Sequence, residues 1–349
     1  MARKLLIETT LLAWCFIGTV KSSEAQDAVF SQFFNSTLYL NPALAGIEQD
    51  LTVSFTHRAQ WRNLNFPYVT NQFSLVLPYY RDKHAKPLGH LGGIGLSAYT
   101  DEAGENGNFR TTGVNGTFSY NQPLNKRYTS LISFGLQLGM IMKRIDPDGL
   151  RWGEQYNPFI GFDASIAPTE LTNLERRAFL DINSGVYWFH TPLQTEKTII
   201  NAINAGLSVS HLNNPNESLI TQDQSRLPLL YKFHGSLIFN LGHRSTISAN
   251  ILTAMQDDQF QNNLGSYLSY KITSFQDAKL KHVIARIGAW YRVNDSFIFL
   301  TEFETKLFKM AFSYDWNTSS LRYNDRSIGT YEIFLALRLS KAGEPKSRY

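Results

Sequence analysis

The sequence predicts an all-β fold: a transmembrane antiparallel β-barrel of about 14 strands with a short N-terminal helical segment. Three observations carry that expectation. First, apolar residues alternate with small or polar ones over long stretches. Leu51, Val53 and Phe55 alternate with Thr52, Ser54, Thr56, Arg58 and Gln60; Ile132, Phe134, Leu136, Leu138 and Met140 with Ser133, Gly135, Gln137 and Gly139; Ile203, Ala205, Leu207 and Val209 with Asn204, Gly206, Ser208 and Ser210. A period of two over eight or more residues gives a strand one apolar and one polar face. Second, these stretches are long. Soluble strands run about five or six residues, whereas a tilted strand crossing a bilayer needs about 9–11. Third, the polar face is rich in Gly, Ser, Thr and Asn, which suits a wet lumen. Periodicity alone also allows a soluble β-sandwich, but long strands in lipid satisfy their backbone groups only by closing on themselves.

The elements follow in order. Residues 1–25 read as a signal peptide: Arg3 and Lys4 make a basic start, Leu11–Val20 is apolar, and Ser23-Glu24-Ala25 offers small residues at the cleavage site. The apolar run is too short to span a membrane. The single cysteine, Cys15, follows the bulky Trp14, which argues against a lipidation site. Its loss with the leader leaves a chain without disulfides, held by hydrogen bonds and buried area.

Residues 26–49 form an aromatic lead-in. Phe30, Phe33, Phe34 and Leu38 recur at i, i+3, i+4 and i+8, the stripe of a short helix that Asp27 would cap and Asn41-Pro42 would end. Such a stripe needs an apolar surface. It is expected to dock inside the barrel or against its inner rim, as a plug or a partner contact, with Tyr39 beside it and Arg58 holding it.

The barrel is expected over 50–340, with strands near 51–62, 68–79, 91–100, 110–122, 128–144, 179–190, 199–212, 229–241, 245–254, 261–272, 282–292, 296–304, 307–316 and 328–340. An even count puts both chain ends, including a tail at 341–349, on the periplasmic side of an outer membrane. The longest polar connections, 145–178, 213–228 and 317–328, all fall on the outer side, and links such as Gln122–Asn125 and Leu241–Arg244 on the inner one. The link at 80–90 is long for an inner turn. Trp61, Trp188, Trp290 and Trp316 stand at strand ends, as interfacial girdle residues do. Inner turns carry Arg81, Lys83, Lys86, Lys126, Arg127, Lys197, Arg244, Lys279 and Lys281, while outer loops carry Asp101, Glu102, Glu105, Asp146, Asp148, Glu154, Asp257 and Asp258. Solvated loops account for such charge, and a basic inner rim would also suit an acidic partner.

Little points to chemistry. A net charge of +4 without a basic cluster gives no case for nucleic acid. His234 and Ser236 share a face with Lys232 and Asn240, but no acid is identifiable to complete a nucleophile–base set. The histidines lack metal-ligand spacing, and Asp146-x-Asp148 lacks the rest of a calcium loop. No enzymatic activity, cofactor or metal is expected. The lumen face instead carries Arg58, Asp181, Arg286, Arg292, Glu302, Glu304, Asp315, Glu332 and Arg338. These would either brace the wall as a salt-bridge lattice or grip an inserted peptide, for which the small Gly135, Gly139, Gly185 and Gly206 leave room.

QDAVFSQFFNSTLYLNPALAG at 26–46, THRAQW at 56–61, AGLSVSHLNNP at 205–215, FSYDWNTSSL at 312–321 and TYEIFLALRL at 330–339 together resemble the PorP/SprF family. These are outer-membrane proteins of the type IX secretion and gliding machinery of Bacteroidetes. Ala28, Tyr331 and Trp316 stand where other residues are usual. The resemblance implies a fourteen-stranded barrel and a role in exporting or anchoring surface adhesins through their C-terminal domain. It also implies partners among the periplasmic machinery, including a peptidoglycan-linked component, and a setting in outer-membrane lipid. A channel for small molecules and a tether to the periplasmic machinery are the alternatives.

Overall fold

The computed structural model describes residues 27–48, 50–61, 67–80, 90–104, 107–127, 129–147, 150–169, 174–192, 198–221, 223–272, 283–318 and 329–339. The expected leader and the tail at 341–349 lie outside these residues, as do Arg81, Lys83, Lys86, Lys197, Lys279, Lys281, Glu105 and Asp148.

A closed antiparallel barrel of fourteen strands accounts for most of the chain. In order these are β1 (Leu51–Gln60), β2 (Tyr68–Tyr80), β3 (His90–Ala103), β4 (Phe109–Pro123), β5 (Ser130–Ile145), β8 (Arg177–His190), β9 (Ile200–Ser210), β10 (Leu230–Asn240), β11 (Ser245–Gln256), β12 (Gln259–Ile272), β13 (Val283–Arg292), β14 (Ser296–Glu304), β15 (Phe308–Asn317) and β16 (Thr330–Leu339). Each pairs with its neighbour in sequence, and β1 closes on β16 with Arg58 opposite Glu332. The connection after β5 holds a small separate hairpin, β6 (Tyr156–Asn157) and β7 (Gly161–Phe162).

Every barrel strand is long enough to cross, at 9 to 16 residues, and alternation sorts its side chains. On β5, Phe134, Leu136, Leu138 and Met140 are exposed on the outer wall while Ser133 and Gln137 are buried inside. The two rims differ. The connections at 146–176 and 211–229 leave one rim, called here the long-loop rim. The links at 124–129, 241–244 and 305–307 lie at the other, where β1 begins and β16 ends.

One expected girdle residue departs from its assignment. Trp290 is 3% exposed and turned into the lumen. It shares the parity of Arg286 and Arg292 on β13, so placing those charges inside places the indole inside too. Trp316 does face outward.

Candidate functional site: a lumen filled by the N-terminal segment

The lead-in runs through the barrel. Asp27 meets His211, the residue directly after β9, whose C-terminal end is at the long-loop rim. Gly46 meets Gly92 and Asn121, near the start of β3 and the end of β4, at the opposite rim. Residues 27–46 therefore cross the lumen from one rim to the other before the chain enters β1.

The expected helix is realised only in part. A single α-helical turn, α1 (Thr37–Leu40), is followed by a 3-10 turn at Pro42–Gly46, with Asn41 extended between them at φ −159° and ψ 121°, as a residue before proline prefers. Ser31–Asn35 is a turn, and Asp27 caps nothing helical. The wall supplies what a helix would otherwise supply to its own backbone. Ser31 N and Gln32 N donate to the Glu332 carboxylate at 2.8 and 3.1 Å. Gln137 Nε2 donates to Leu38 O, Ser208 Oγ to Leu40 O, Ser133 Oγ to Ala43 O and Asn121 Nδ2 to Gly46 O, at 2.7 to 3.1 Å. Buried backbone groups must be paired, and here barrel side chains pair them.

The apolar side chains diverge accordingly. Phe33 and Phe34 pack on Trp290 with ring centroids 5.1 and 5.8 Å away, and Phe34 lies edge-on to Tyr267 at 5.1 Å. Phe30 stands edge-on to Tyr39 at 5.2 Å. Leu38 instead joins Ala45 and Val76.

Glycines in the wall shape the track. A Cβ on Gly135 would lie 2.1 Å from Ala43 N, on Gly93 2.2 Å from Ala45 O, and on Gly185 2.1 Å from Asn41 Oδ1. Gly206 also abuts Asn41, whose side-chain amide reaches Val186 O at 3.0 Å and His234 Nε2 at 3.2 Å. Gly139 differs from the expectation of open room: its inner side is filled by the Asn115 side chain of the wall.

The charged lumen residues fall into three groups. Near the long-loop rim, Ser31 Oγ donates to Asp315 Oδ2 at 2.5 Å and accepts from Arg292 Nη2 at 3.1 Å. Arg58 stands 3.9 Å from Asp315 and 3.7 Å from Glu332. Arg58 was expected to hold the segment itself. Its own hydrogen bond goes to Gln60 Oε1, and it acts on the segment through the two carboxylates that the segment bonds. Both acids are almost wholly buried, so the guanidinium offsets a charge that would otherwise be very costly there.

At the short-link rim, Arg286 bonds Glu302 and Glu304, Arg338 bonds Glu304, and Lys309 lies 3.2 Å from Glu302. These groups line a cavity of about 360 Å³ that also reaches His234, Ser236, Arg244, Lys271 and Tyr267. His234 stacks on Tyr187 at 5.8 Å besides meeting Asn41.

The third group is a clasp that sequence reasoning missed. His211 Nε2 lies 2.7 Å from Asp27 Oδ2 and Nδ1 lies 2.7 Å from Asp181 Oδ1. Burial alone would pull the imidazole pKa down, but the two carboxylates outweigh it and hold it raised, at about 9. Burial would likewise raise Asp27, yet His211 holds it well below the usual carboxylate range. The missed signal was His211 itself, in the SHLNNP stretch at the end of a strand, opposite a carboxylate with lumen parity.

Among solved structures the chain is similar to the monoaromatic hydrocarbon channel CymD, at 10% identity over 87% of this chain and 91% of that one, with a TM-score of 0.45. It is also similar to the KdgM porin, at 10% identity over 83% of this chain and 100% of that one, with a TM-score of 0.34. A Pseudomonas aeruginosa FadL homologue shares 11% identity over 87% and 93% of the two chains, with a TM-score of 0.40. These are likenesses of barrel architecture only. No curated protein sequence matches the chain. The model of the type IX secretion system membrane protein family PorP/SprF matches residues 22–337, and the chain belongs to that family.

Proposed function

We propose that this protein is a non-enzymatic barrel of the outer membrane that anchors, receives or helps export adhesin-type cargo of the type IX secretion system, linked to gliding motility. Its action is protein–protein recognition, with the long-loop rim outside and the short-link rim facing the periplasm and the machinery there. The observation that supports this reading is the filled lumen. A passive channel has no use for a segment several of whose carbonyls are met by wall side chains and whose turns lie in glycine-cut recesses. A rigidly held lumen segment suits a barrel whose rims do the work.

The test is gentle purification from the native membrane with identification of what accompanies the barrel, paired with conductance in planar bilayers. Recovery of an adhesin C-terminal domain and a closed barrel are expected. An open, cargo-independent pore would favour a small-molecule channel. Recovery of periplasmic components alone would replace the cargo role with that of a tether.

A further inference from the structure

Beside the start of the lumen segment, close to the long-loop rim, lies a slot of about 80 Å³ between residues 27–33 and strands β10 to β12. Phe30, Phe33, Leu230 and Leu252 give it apolar sides, and Lys232 and Gln256 are its buried polar lining. Both polar groups are short of acceptors. The Lys232 ammonium donates to Tyr39 O at 2.8 Å and sits over the Tyr39 ring at 4.1 Å. An ammonium has three N–H donors, and a buried one is costly unless paired. The carboxylates that act on it through space, Asp27 and Asp181, are both already hydrogen-bonded to His211. The Gln256 amide nitrogen is buried and has no hydrogen-bond partner among the described residues.

The volume is roughly half that of the ~150 Å³ apolar cavity that holds a benzene. It is of a size for one apolar side chain, such as a branched aliphatic one. The chemistry is therefore an apolar side chain with an anionic oxygen donor-matched within a residue's reach. Aspartate and glutamate lack the apolar body, and a mid-chain leucine lacks the charge. A C-terminal aliphatic residue has both. We propose that this slot docks the apolar C-terminal residue of a partner polypeptide, with its side chain among Phe30, Phe33, Leu230 and Leu252 and its α-carboxylate on Lys232 and Gln256. The inference rests on the recognition reading only in taking the ligand to be a polypeptide.

The test uses the full chain purified in detergent and ligand-observed NMR. The probes are N-acetyl-leucine, N-acetyl-leucinamide and a Gly/Ser octapeptide ending in leucine with a free carboxylate. N-acetyl-leucine is expected to bind saturably, with the amide about tenfold weaker, since a hydrogen bond to a charged group is lost. The octapeptide should bind at least as tightly as N-acetyl-leucine. Lys232→Met should abolish the preference for acid over amide. Gln256→Leu, which keeps the packing, should weaken acid binding a few-fold and serves if Lys232→Met does not fold. Equal binding of acid and amide, saturable binding by neither, or a preference that survives at Lys232→Met or is untouched by Gln256→Leu would overturn the site. Binding of N-acetyl-leucine without the octapeptide would overturn the polypeptide assignment. Cargo recovery from native membranes is a separate readout, so failure of the slot and failure of the cargo role are distinguishable.

Discussion

A single imidazole decides how firmly the start of the lumen segment is held. His211 bridges Asp27 of the segment and Asp181 of the wall, and its raised pKa of about 9 is the measure of that hold. A group whose pKa is raised on folding stabilises the folded arrangement fully below its unfolded value, about 6.5 for histidine, and loses that contribution as pH rises through the folded value. The clasp should thus be closed at neutral pH and loosen as pH passes about 9. Lys232 and Lys143 also act on Asp27, so the end should be loosened rather than expelled. A spin label at Ala28 is expected to be immobile at neutral pH and mobile above that value, and mobile throughout in His211→Gln. Equal mobility at both pH values in the wild type would rule the clasp out as the determinant. Arg58 shows the limit of reading single residues. Alternation told that it faces inward, but which atoms it bonds depends on β16 bringing Glu332 opposite it, a pairing 274 residues away that no local pattern contains.

At the scale of elements, the strands were legible and the lead-in only half so. A period of two is a local property, and each expected strand lies within a few residues of an observed one. The lead-in carried a helical stripe, but a stripe predicts a helix only when nothing competes for the backbone. Here Glu332, Ser208, Ser133 and Asn121 compete and win, so one turn of helix survives and Leu38 parts from the aromatic rings. The glycines that make this possible give a direct test. Valine at Gly135 would drive a Cβ to 2.1 Å from Ala43 N, a backbone atom that cannot swing aside. Gly135→Val should displace the Pro42–Gly46 turn and raise conductance in planar bilayers, as deletion of 28–40 should. Gly116→Val is the control, because it is exposed on the outer wall and a Cβ there meets nothing nearer than Leu138 O at 3.9 Å. A Gly135→Val barrel as closed as the control would mean that the segment does not seal the lumen.

For the whole molecule, strand number, closure and the sorting of charge to the inside all follow from alternation and length, because lipid on one side and a polar interior on the other leave few alternatives. What alternation cannot express is the direction in which a segment lies inside. The sequence suggested a lead-in docked within the barrel or near the rim where β1 begins, since it directly precedes β1. Geometry reverses its start: Asp27 is at the far rim and only Gly46 is near the β1 end. Twenty residues suffice, because even a chain that is partly coiled into turns spans a bilayer-sized barrel when the rest is extended. In the orientation proposed above, the described start of the segment would face the exterior although β1 would start on the periplasmic side. Cysteine at Ala28 should then react with a membrane-impermeant maleimide in intact cells, as cysteine at Gln224 in the 211–229 loop should. Cysteine at Gly242, exposed in the 241–244 link, should react only after the outer membrane is permeabilised. If Ala28→Cys follows Gly242→Cys, the segment enters from the periplasmic rim. If Gln224→Cys does so as well, the barrel itself is inverted relative to the orientation proposed, and the partners of the two rims exchange places.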